Sequence, residues 1–243
     1  MKMLDLFWES LYPRRLTCDL CGKDVRLEDS GPAAFLCPAC LALLRPAPAL
    51  QLPSGLDGVW AGLLYNHAAA KMMHRFKYRN APYLAQTFAA FFPVPPEVDR
   101  ILPVPLFPAR RRKRGYNQSE RLAVCASRNM AAPLDASLLR RTRDTLSQTA
   151  FSPGDREKNV RGAFCADKRL NGLSILLIDD VFTTGATAGE CARTLKAAGA
   201  ERVYALMACA AIGKDQLPQS QGSAQNTHGI AGGRHSYGSG MLR

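Results

Sequence analysis

The sequence predicts an α/β fold in which a mainly parallel sheet is flanked by helices, with a small four-cysteine unit on its N-terminal side. Three observations support this prediction. Apolar, strand-like runs alternate with helix-like segments after about residue 56. One late run leads into two adjacent carboxylates and a loop of small, hydroxylated residues, a pattern typical of the carboxyl edge of a parallel sheet. Two Cys-x-x-Cys pairs lie near the start of the chain.

Composition limits the possible functions. The 243 residues carry a net charge of +12 and include 47% apolar residues, which is ordinary for a globular protein. A balance this basic favours an anionic partner, such as nucleic acid, a polyphosphate or an anionic lipid, without choosing among them. No apolar run reaches the roughly 18 residues that a membrane-spanning helix needs, so we expect no membrane span.

The first residues do not resemble a signal peptide, because Asp5 and Glu9 interrupt the apolar stretch. Four apolar residues there have helical spacing and predict a short helix that packs on the body: Leu4, Phe7, Trp8 and Leu11. Eight cysteines without an export signal indicate the reducing cytoplasm, where clustered thiols more often bind metal than form disulfides.

The pairs Cys18/Cys21 and Cys37/Cys40 are separated by fifteen residues. Each pair can form a tight turn that presents two thiolates, and two such turns complete a tetrahedral zinc site. We therefore predict a structural zinc ribbon, with four unrelated buried cysteines as the alternative. The remaining cysteines are isolated and are predicted to be small core residues: Cys125, Cys165, Cys191 and Cys209.

The elements after the ribbon follow in a regular order. Residues 45–55 are proline-rich and predict a linker. A strand is predicted within 58–67, followed by two helices with a turn near 80–82. A short strand within 99–106, a basic loop and a helix over 117–130 come next.

The second half begins with a polar segment, 139–162, that contains Pro and Gly and is too long for a simple connection. A strand is predicted over 174–178, a helix over 187–198 and a last strand over 202–210. Beyond residue 212 large apolar residues are scarce, so 213–243 is predicted to be a disordered tail.

Asp179 and Asp180 directly follow the apolar run 174–178. Continuing the strand would point at least one carboxylate into the core, so we expect the strand to end at this point. The loop 183–187 then leads into a helix N-terminus, where free amides and hydroxyls can hold an anion and Gly185 allows close approach. A sugar phosphate would satisfy both the acidic pair and the loop.

Other interpretations of this stretch can be compared with the letters. The chain contains neither the Gly-x-x-x-x-Gly-Lys-Ser/Thr pattern of a P-loop nor the Gly-x-Gly-x-x-Gly of a dinucleotide site. A capped helix after a core strand, with the carboxylates merely on the surface, remains the alternative.

The stretch "LLIDDVFTTGAT" resembles the phosphoribosyl-diphosphate (PRPP) signature of type I phosphoribosyltransferases. Together with the four-cysteine unit, "ILPVPLFPARRRKRGYNQSERLA" and "LRRTRDTLSQTAFSPGDREKNVRGAF" resemble the ComF family of ComFC and GntX-like competence proteins. The likeness covers roughly residues 3 to 212. It implies an N-terminal helix and zinc ribbon in 1–45, a type I phosphoribosyltransferase-like domain in 56–212, and leaves the 213–243 tail unmatched.

The resemblance also implies roles for residues. Asp179 and Asp180 would hold the ribose hydroxyls, the segment from Pro105 to Arg114 would take the place of the pyrophosphate loop, and 140–161 that of the flexible hood. Mg²⁺ would bridge pyrophosphate and ribose oxygens. The implied PRPP-binding residues are Asp179, Asp180, Val181, Thr183, Thr184, Gly185, Ala186 and Thr187.

The basic run has three possible uses. Its cations are candidates for pyrophosphate or nucleic-acid contacts: Arg110, Arg111, Arg112, Lys113 and Arg114. On single-stranded nucleic acid they would follow the phosphate backbone while Tyr116 or Tyr78 stacks on bases. A solvated charge run is the third possibility.

The function that these observations predict is that of a cytoplasmic ComF-like competence protein that binds PRPP and handles incoming single-stranded DNA in natural transformation. Other competence or DNA-processing proteins are possible partners. The alternative is a metabolic phosphoribosyltransferase that acts on a small nitrogenous base. No segment indicates a pocket for such a base, so catalytic residues are not assigned and turnover is left open. The ribbon is expected to be independent of PRPP binding.

Overall fold

The computed structural model describes residues 17–25, 35–144, 158–166 and 170–212. The predicted N-terminal helix, the tail from residue 213 and the middle of the predicted hood lie outside these ranges. The predicted division into 1–45, 56–212 and 213–243 stays a prediction. Within the described residues, no helix has the length and apolar content needed to cross a lipid bilayer.

Secondary structure follows the predicted order except for four elements that the sequence did not predict, the helices Pro38–Leu41 and Pro108–Arg114 and the strands Leu139–Arg141 and Phe164–Ala166. The helices are α1 (Pro38–Leu41), α2 (His67–Tyr78), α3 (Leu84–Ala89), α4 (Pro108–Arg114), α5 (Gln118–Met130) and α6 (Ala186–Ala197). The strands are β1 (Gly58–Leu64), β2 (Arg100–Pro103), β3 (Leu139–Arg141), β4 (Phe164–Ala166), β5 (Ser174–Phe182) and β6 (Arg202–Ala210).

Four strands form a sheet in the order β1-β6-β5-β2, and every pair in it is parallel. The strands β3 and β4 form a separate antiparallel pair. Because the central strands β5 and β6 are covered on both faces, their residues form nearly continuous apolar runs. The predicted class, a mainly parallel sheet flanked by helices, is confirmed.

Alternate residues of β5 belong to two cores. Leu176 and Ile178 pack with α2, α3 and α5, whereas Ile175 and Leu177 pack with α6 and the β3–β4 pair. The carboxyl ends of all four parallel strands therefore meet at one edge between these layers. That edge is where open α/β sheets bind ligands.

The ribbon packs against α2 and α3. Cys18, Leu20 and Leu36 lie in the same hydrophobic cluster as the residues that α2 and α3 bury. The Arg75 guanidinium donates a hydrogen bond to the Asp19 carbonyl, and the Thr87 hydroxyl donates to the Asp19 carboxylate. The ribbon and the sheet domain thus share one core.

The segment from Pro105 to Arg114 is not the basic loop that we predicted, because most of it is the helix α4. Pro108 occupies the first turn, where its missing N–H removes no hydrogen bond. Gly115 ends the helix with a φ of 83°, a left-handed conformation that favours glycine. The cations of the run therefore point in different directions around a helix.

Candidate functional site

A cleft with a volume of ≈ 320 Å³ opens at the carboxyl edge of the sheet. The acidic pair, the loop after it, the N-terminus of α5 and part of the basic run meet there. The residues that line the cleft include Lys77, Tyr78, Arg110, Arg114, Ser119, Arg141, Asp179, Asp180, Val181, Thr183, Gly185, Ala186 and Thr187.

The strand β5 does not end at Ile178, as we expected, but continues through both aspartates to Phe182. Each carboxylate is compensated by a specific partner. Asp179 Oδ1 accepts hydrogen bonds from Ser119 Oγ and from the Asp180 amide, both at 2.8 Å. Asp180 Oδ1 lies 2.8 Å from Lys77 Nζ. These hydrogen bonds and the ion pair allow the strand to continue through the two carboxylates, because buried polar groups are tolerated when they have partners.

These close charges alter one another's ionisation. Burial, and then the neighbouring Asp180, raise the pKa of Asp179 to about 6. Burial alone would lower the pKa of Lys77, but Asp180 and Asp179 outweigh it and raise that pKa. Lys77 therefore remains an ammonium that partly neutralises the acidic pair.

Most of the predicted anion loop faces the cleft. Thr183, Gly185, Ala186 and Thr187 line it, as does Val181 before the loop. Thr184 is not among the lining residues, and its hydroxyl instead accepts a hydrogen bond of 3.4 Å from the Ala186 amide. The cleft therefore contains the N-terminus of α6, where the helix dipole places a partial positive charge.

Gly185 has a structural role beyond close approach to a ligand. Its φ is 75°, and a Cβ built on it would lie 2.3 Å from Pro53 Cγ. Pro53 belongs to the predicted linker, whose earlier residues pair with β1 through Ala47 and Gly62. The linker thus packs against the sheet domain and buttresses the loop.

The basic run divides into two groups. Arg110 and Arg114, one helical turn apart, line the cleft. Arg110 also forms an ion pair of 3.2 Å with Asp144. Arg111 pairs with Glu120 at 2.9 Å, and neither Arg112 nor Lys113 is among the lining residues.

Several residues of the cleft were not predicted from the sequence. Lys77 and Tyr78 come from α2, Ser119 from the start of α5, and Arg141 from β3. The Arg141 guanidinium lies 5.3 Å from the centre of the Phe164 ring, and burial together with Arg110 lowers its pKa. Lys77 is one cation in a helix with several, and no local pattern distinguishes it from the others.

Tyr116 is not available for stacking on bases, because it is buried and donates a hydrogen bond to the Phe76 carbonyl. Tyr78 is 59% exposed. Of the isolated cysteines, Cys191 and Cys209 are buried as predicted, Cys125 is partly buried, and Cys165 is exposed, which contradicts its prediction as a core residue.

Four thiols form a cluster that can hold a metal ion. The sulfur atoms of Cys18, Cys21, Cys37 and Cys40 all lie within 4.8 Å of one another. The Cys21 and Cys37 sulfurs are 3.8 Å apart, and Zn–S bonds of about 2.3 Å place two tetrahedral ligands about 3.8 Å apart. Burial opposes ionisation of Cys18, but backbone hydrogen bonds outweigh it and lower its pKa to about 6. The geometry fits one tetrahedral ion.

No family model matches the sequence. The DNA utilization protein YhgH of Salmonella typhi is 28% identical over 217 residues, which cover 79% of this chain and 89% of that protein. Competence protein F of Haemophilus influenzae is 31% identical over 54% of this chain and 63% of its own length. Competence protein ComFC of Bacillus subtilis is 32% identical over 54% of this chain and 55% of its own.

Among solved structures, a glutamine PRPP amidotransferase from Bacillus subtilis is similar to this chain at 19% identity, with a TM-score of 0.38. The match covers 56% of this chain and 30% of that one.

Proposed function

Because this chain is a homologue of the ComF-family competence proteins, we propose that it binds PRPP in the cleft and handles single-stranded DNA during natural transformation. The relatives named competence protein F and ComFC confirm the resemblance that the motifs indicated. PRPP binding rests on one observation above all. A compensated acidic pair, a helix N-terminus and several cations surround one cleft at the carboxyl edge of the sheet.

The parts of PRPP match the charges of the cleft. The 5′-phosphate would accept hydrogen bonds from the amides and hydroxyls of the loop 183–187. The ribose hydroxyls would donate to Asp179 and Asp180, whose Oδ2 atoms have no hydrogen-bond partner among the described residues. The pyrophosphate would lie near Arg110 and Arg114.

Transfer chemistry on PRPP would require stabilisation of the departing pyrophosphate, which Arg110, Arg114 and Arg141 are placed to supply. Mg²⁺ would add charge neutralisation on the pyrophosphate oxygens. Lys77 would keep the acidic pair partly neutral while the ribose hydroxyls engage it. We assign no group as the nucleophile or its activator.

We further propose that the four-thiol cluster holds a structural zinc ion. Four thiolates at tetrahedral spacing are the ligand set that zinc prefers in structural sites, and no position is left open for substrate. This ligand set also suits a reducing cytoplasm, which we propose as the location of the protein.

Calorimetry with PRPP and Mg²⁺ tests the proposed ligand. Asp179→Asn combined with Asp180→Asn keeps the shape of both side chains but removes charge-assisted hydrogen bonds worth roughly 1.5–3 kcal/mol each. We expect PRPP affinity to fall at least about tenfold. Unchanged affinity, with the variant folded by circular dichroism, would place the PRPP site elsewhere.

A metabolic phosphoribosyltransferase acting on a small nitrogenous base remains the second candidate, because the cleft suits PRPP in either case. A pyrophosphate-release assay with PRPP, Mg²⁺ and a panel of bases measures its activity directly. Release that depends on one base, in a protein that binds no single-stranded DNA, would favour this candidate over the competence function.

A further inference from the structure

Helix α2 has an unusual exposed face. The chain from residue 58 to residue 96 contains no Asp or Glu, and α2 lies within it. Surface helices usually mix charges of both signs. Here the exposed residues of α2 and the residue after it include two cations and two aromatic rings, which we call the α2 strip: Lys71, His74, Tyr78 and Arg79.

The two rings of the α2 strip contact each other, and one of them also contacts a cation. The His74 and Tyr78 ring centres are 5.1 Å apart. The Arg114 guanidinium lies 5.3 Å from the centre of the Tyr78 ring. Tyr83, 51% exposed, accepts a hydrogen bond of 2.7 Å from Arg75 beside this face. Flat rings are thus held at the surface next to cations.

No carboxylate in the described part of the chain neutralises the cations of the α2 strip. Neither Lys71 nor Arg79 forms an ion pair with any carboxylate in the described part of the chain. In contrast, Lys77 forms an ion pair with Asp180, and Arg75 donates a hydrogen bond to the Asp19 carbonyl. Lys71 and Arg79 lie on the same exposed face as the rings, and this face meets the cleft at Tyr78, beside Arg114.

We propose that the α2 strip is the surface on which single-stranded nucleic acid binds, with bases stacked on His74 and Tyr78 and phosphates on Lys71 and Arg79. This inference rests on the proposed DNA-handling function and locates its contact surface. Exposed rings between cations suit unpaired bases because every base has a stacking face, whereas the bases of a duplex are already stacked. An acidic protein segment would use the cations but would leave the rings without a matching partner.

Fluorescence anisotropy with a labelled oligothymidylate tests the rings first. Tyr78→Ala combined with His74→Ala should weaken binding at least about tenfold, because both rings on which bases would stack are removed. Tyr78→Phe alone should keep most of the affinity because the ring remains. The same oligonucleotide paired with oligoadenylate should bind more weakly to the wild-type protein.

A salt series then tests the cations. Lys71→Gln with Arg79→Gln should reduce the slope of log K against log salt by about 1.4 units, at roughly 0.7 per phosphate contact. Arg128→Gln with Arg202→Gln is the charge-matched control. Arg202 begins β6 at the opposite edge of the sheet, and Arg128 is in the last turn of α5. PRPP calorimetry on the Lys71/Arg79 variant should match the wild type, because neither residue lines the cleft.

The outcomes separate two failures. Wild-type binding that none of these α2 substitutions changes would overturn the α2 strip but leave DNA handling in place. Absence of salt-sensitive binding by the wild type, with PRPP still bound, would overturn both the strip and the DNA part of the proposed function. Competition by polyglutamate as strong as by the oligonucleotide would overturn the nucleic-acid assignment in favour of an acidic protein.

Discussion

At the residue scale, the buried carboxylate of Asp179 lowers the stability of the folded protein at neutral pH. Burial and Asp180 raise its pKa from 3.8 to about 6. Between about pH 4 and pH 6, Asp179 is therefore protonated in the folded protein but ionised in the unfolded chain. Because a raised carboxyl pKa favours the folded state only while the group is protonated, stability falls as the pH rises between about 4 and 6.

Asp179→Asn should therefore stabilise the empty protein at neutral pH, by about 1–3 kcal/mol in the free energy of unfolding, and should have little effect near pH 4. Urea unfolding at the two pH values measures this. Asp57→Asn is a control of opposite sign. Burial raises the pKa of Asp57, but the Val203 amide and Lys196 outweigh it and lower that pKa, so loss of this carboxylate should destabilise the protein at neutral pH. A destabilised Asp179→Asn protein would contradict the burial of that charge.

Some residues of the cleft could be predicted from the sequence and others could not. The acidic pair and the loop 183–187 form one local motif, so they were assigned from the letters alone. Lys77 lies 103 positions from Asp180 along the chain. Only the packing of α2 against β5 brings the two together, and no short-range pattern records that. Ser119 and Arg141 were missed for the same reason.

At the element scale, α4 explains why a run of like charges is not one surface. The prediction of a basic loop did not say which of its five cations would reach a ligand. A helix with 3.6 residues per turn directs positions i and i+4 to one side, so Arg110 and Arg114 face the cleft while Arg111 faces Glu120. The prediction of a loop was wrong because Pro108 and Gly115 suit the first turn and the end of a short helix.

This division predicts unequal effects on PRPP. Arg110→Gln with Arg114→Gln should weaken PRPP at least about tenfold, since both would contact the pyrophosphate through charge-assisted hydrogen bonds. Arg112→Gln with Lys113→Gln removes the same formal charge and should change PRPP affinity by less than about threefold, because those side chains lie outside the cleft and act only through screened charge. Calorimetry at constant salt compares the pairs. Equal losses would show that net charge, not position, governs binding.

At the scale of the whole molecule, the ribbon and the cleft are joined through α2. From the sequence, the ribbon was predicted to be a separate unit, because a proline-rich stretch lies between it and the sheet domain. In the structure that stretch pairs with β1, and the ribbon residues Cys18, Leu20 and Leu36 share a core with α2. Long-range packing of this kind has no counterpart in residue spacing. The same helix carries Lys77 and Tyr78 into the cleft.

We therefore expect loss of the metal to weaken PRPP binding, although the sequence suggested that the ribbon is independent of that binding. Cys18→Ser with Cys21→Ser should release about one zinc per chain, lower the melting temperature and weaken PRPP several-fold, because the Asp19 contacts to Arg75 of α2 and to Thr87 of α3 depend on the ribbon turn. Metal analysis, thermal unfolding and calorimetry measure the three effects. Cys165→Ser changes an exposed cysteine outside the cluster and should leave all three unchanged. Full zinc retention in the double variant would overturn the metal assignment, whereas zinc loss with unaltered PRPP affinity would show that α2 holds Lys77 in place without the ribbon.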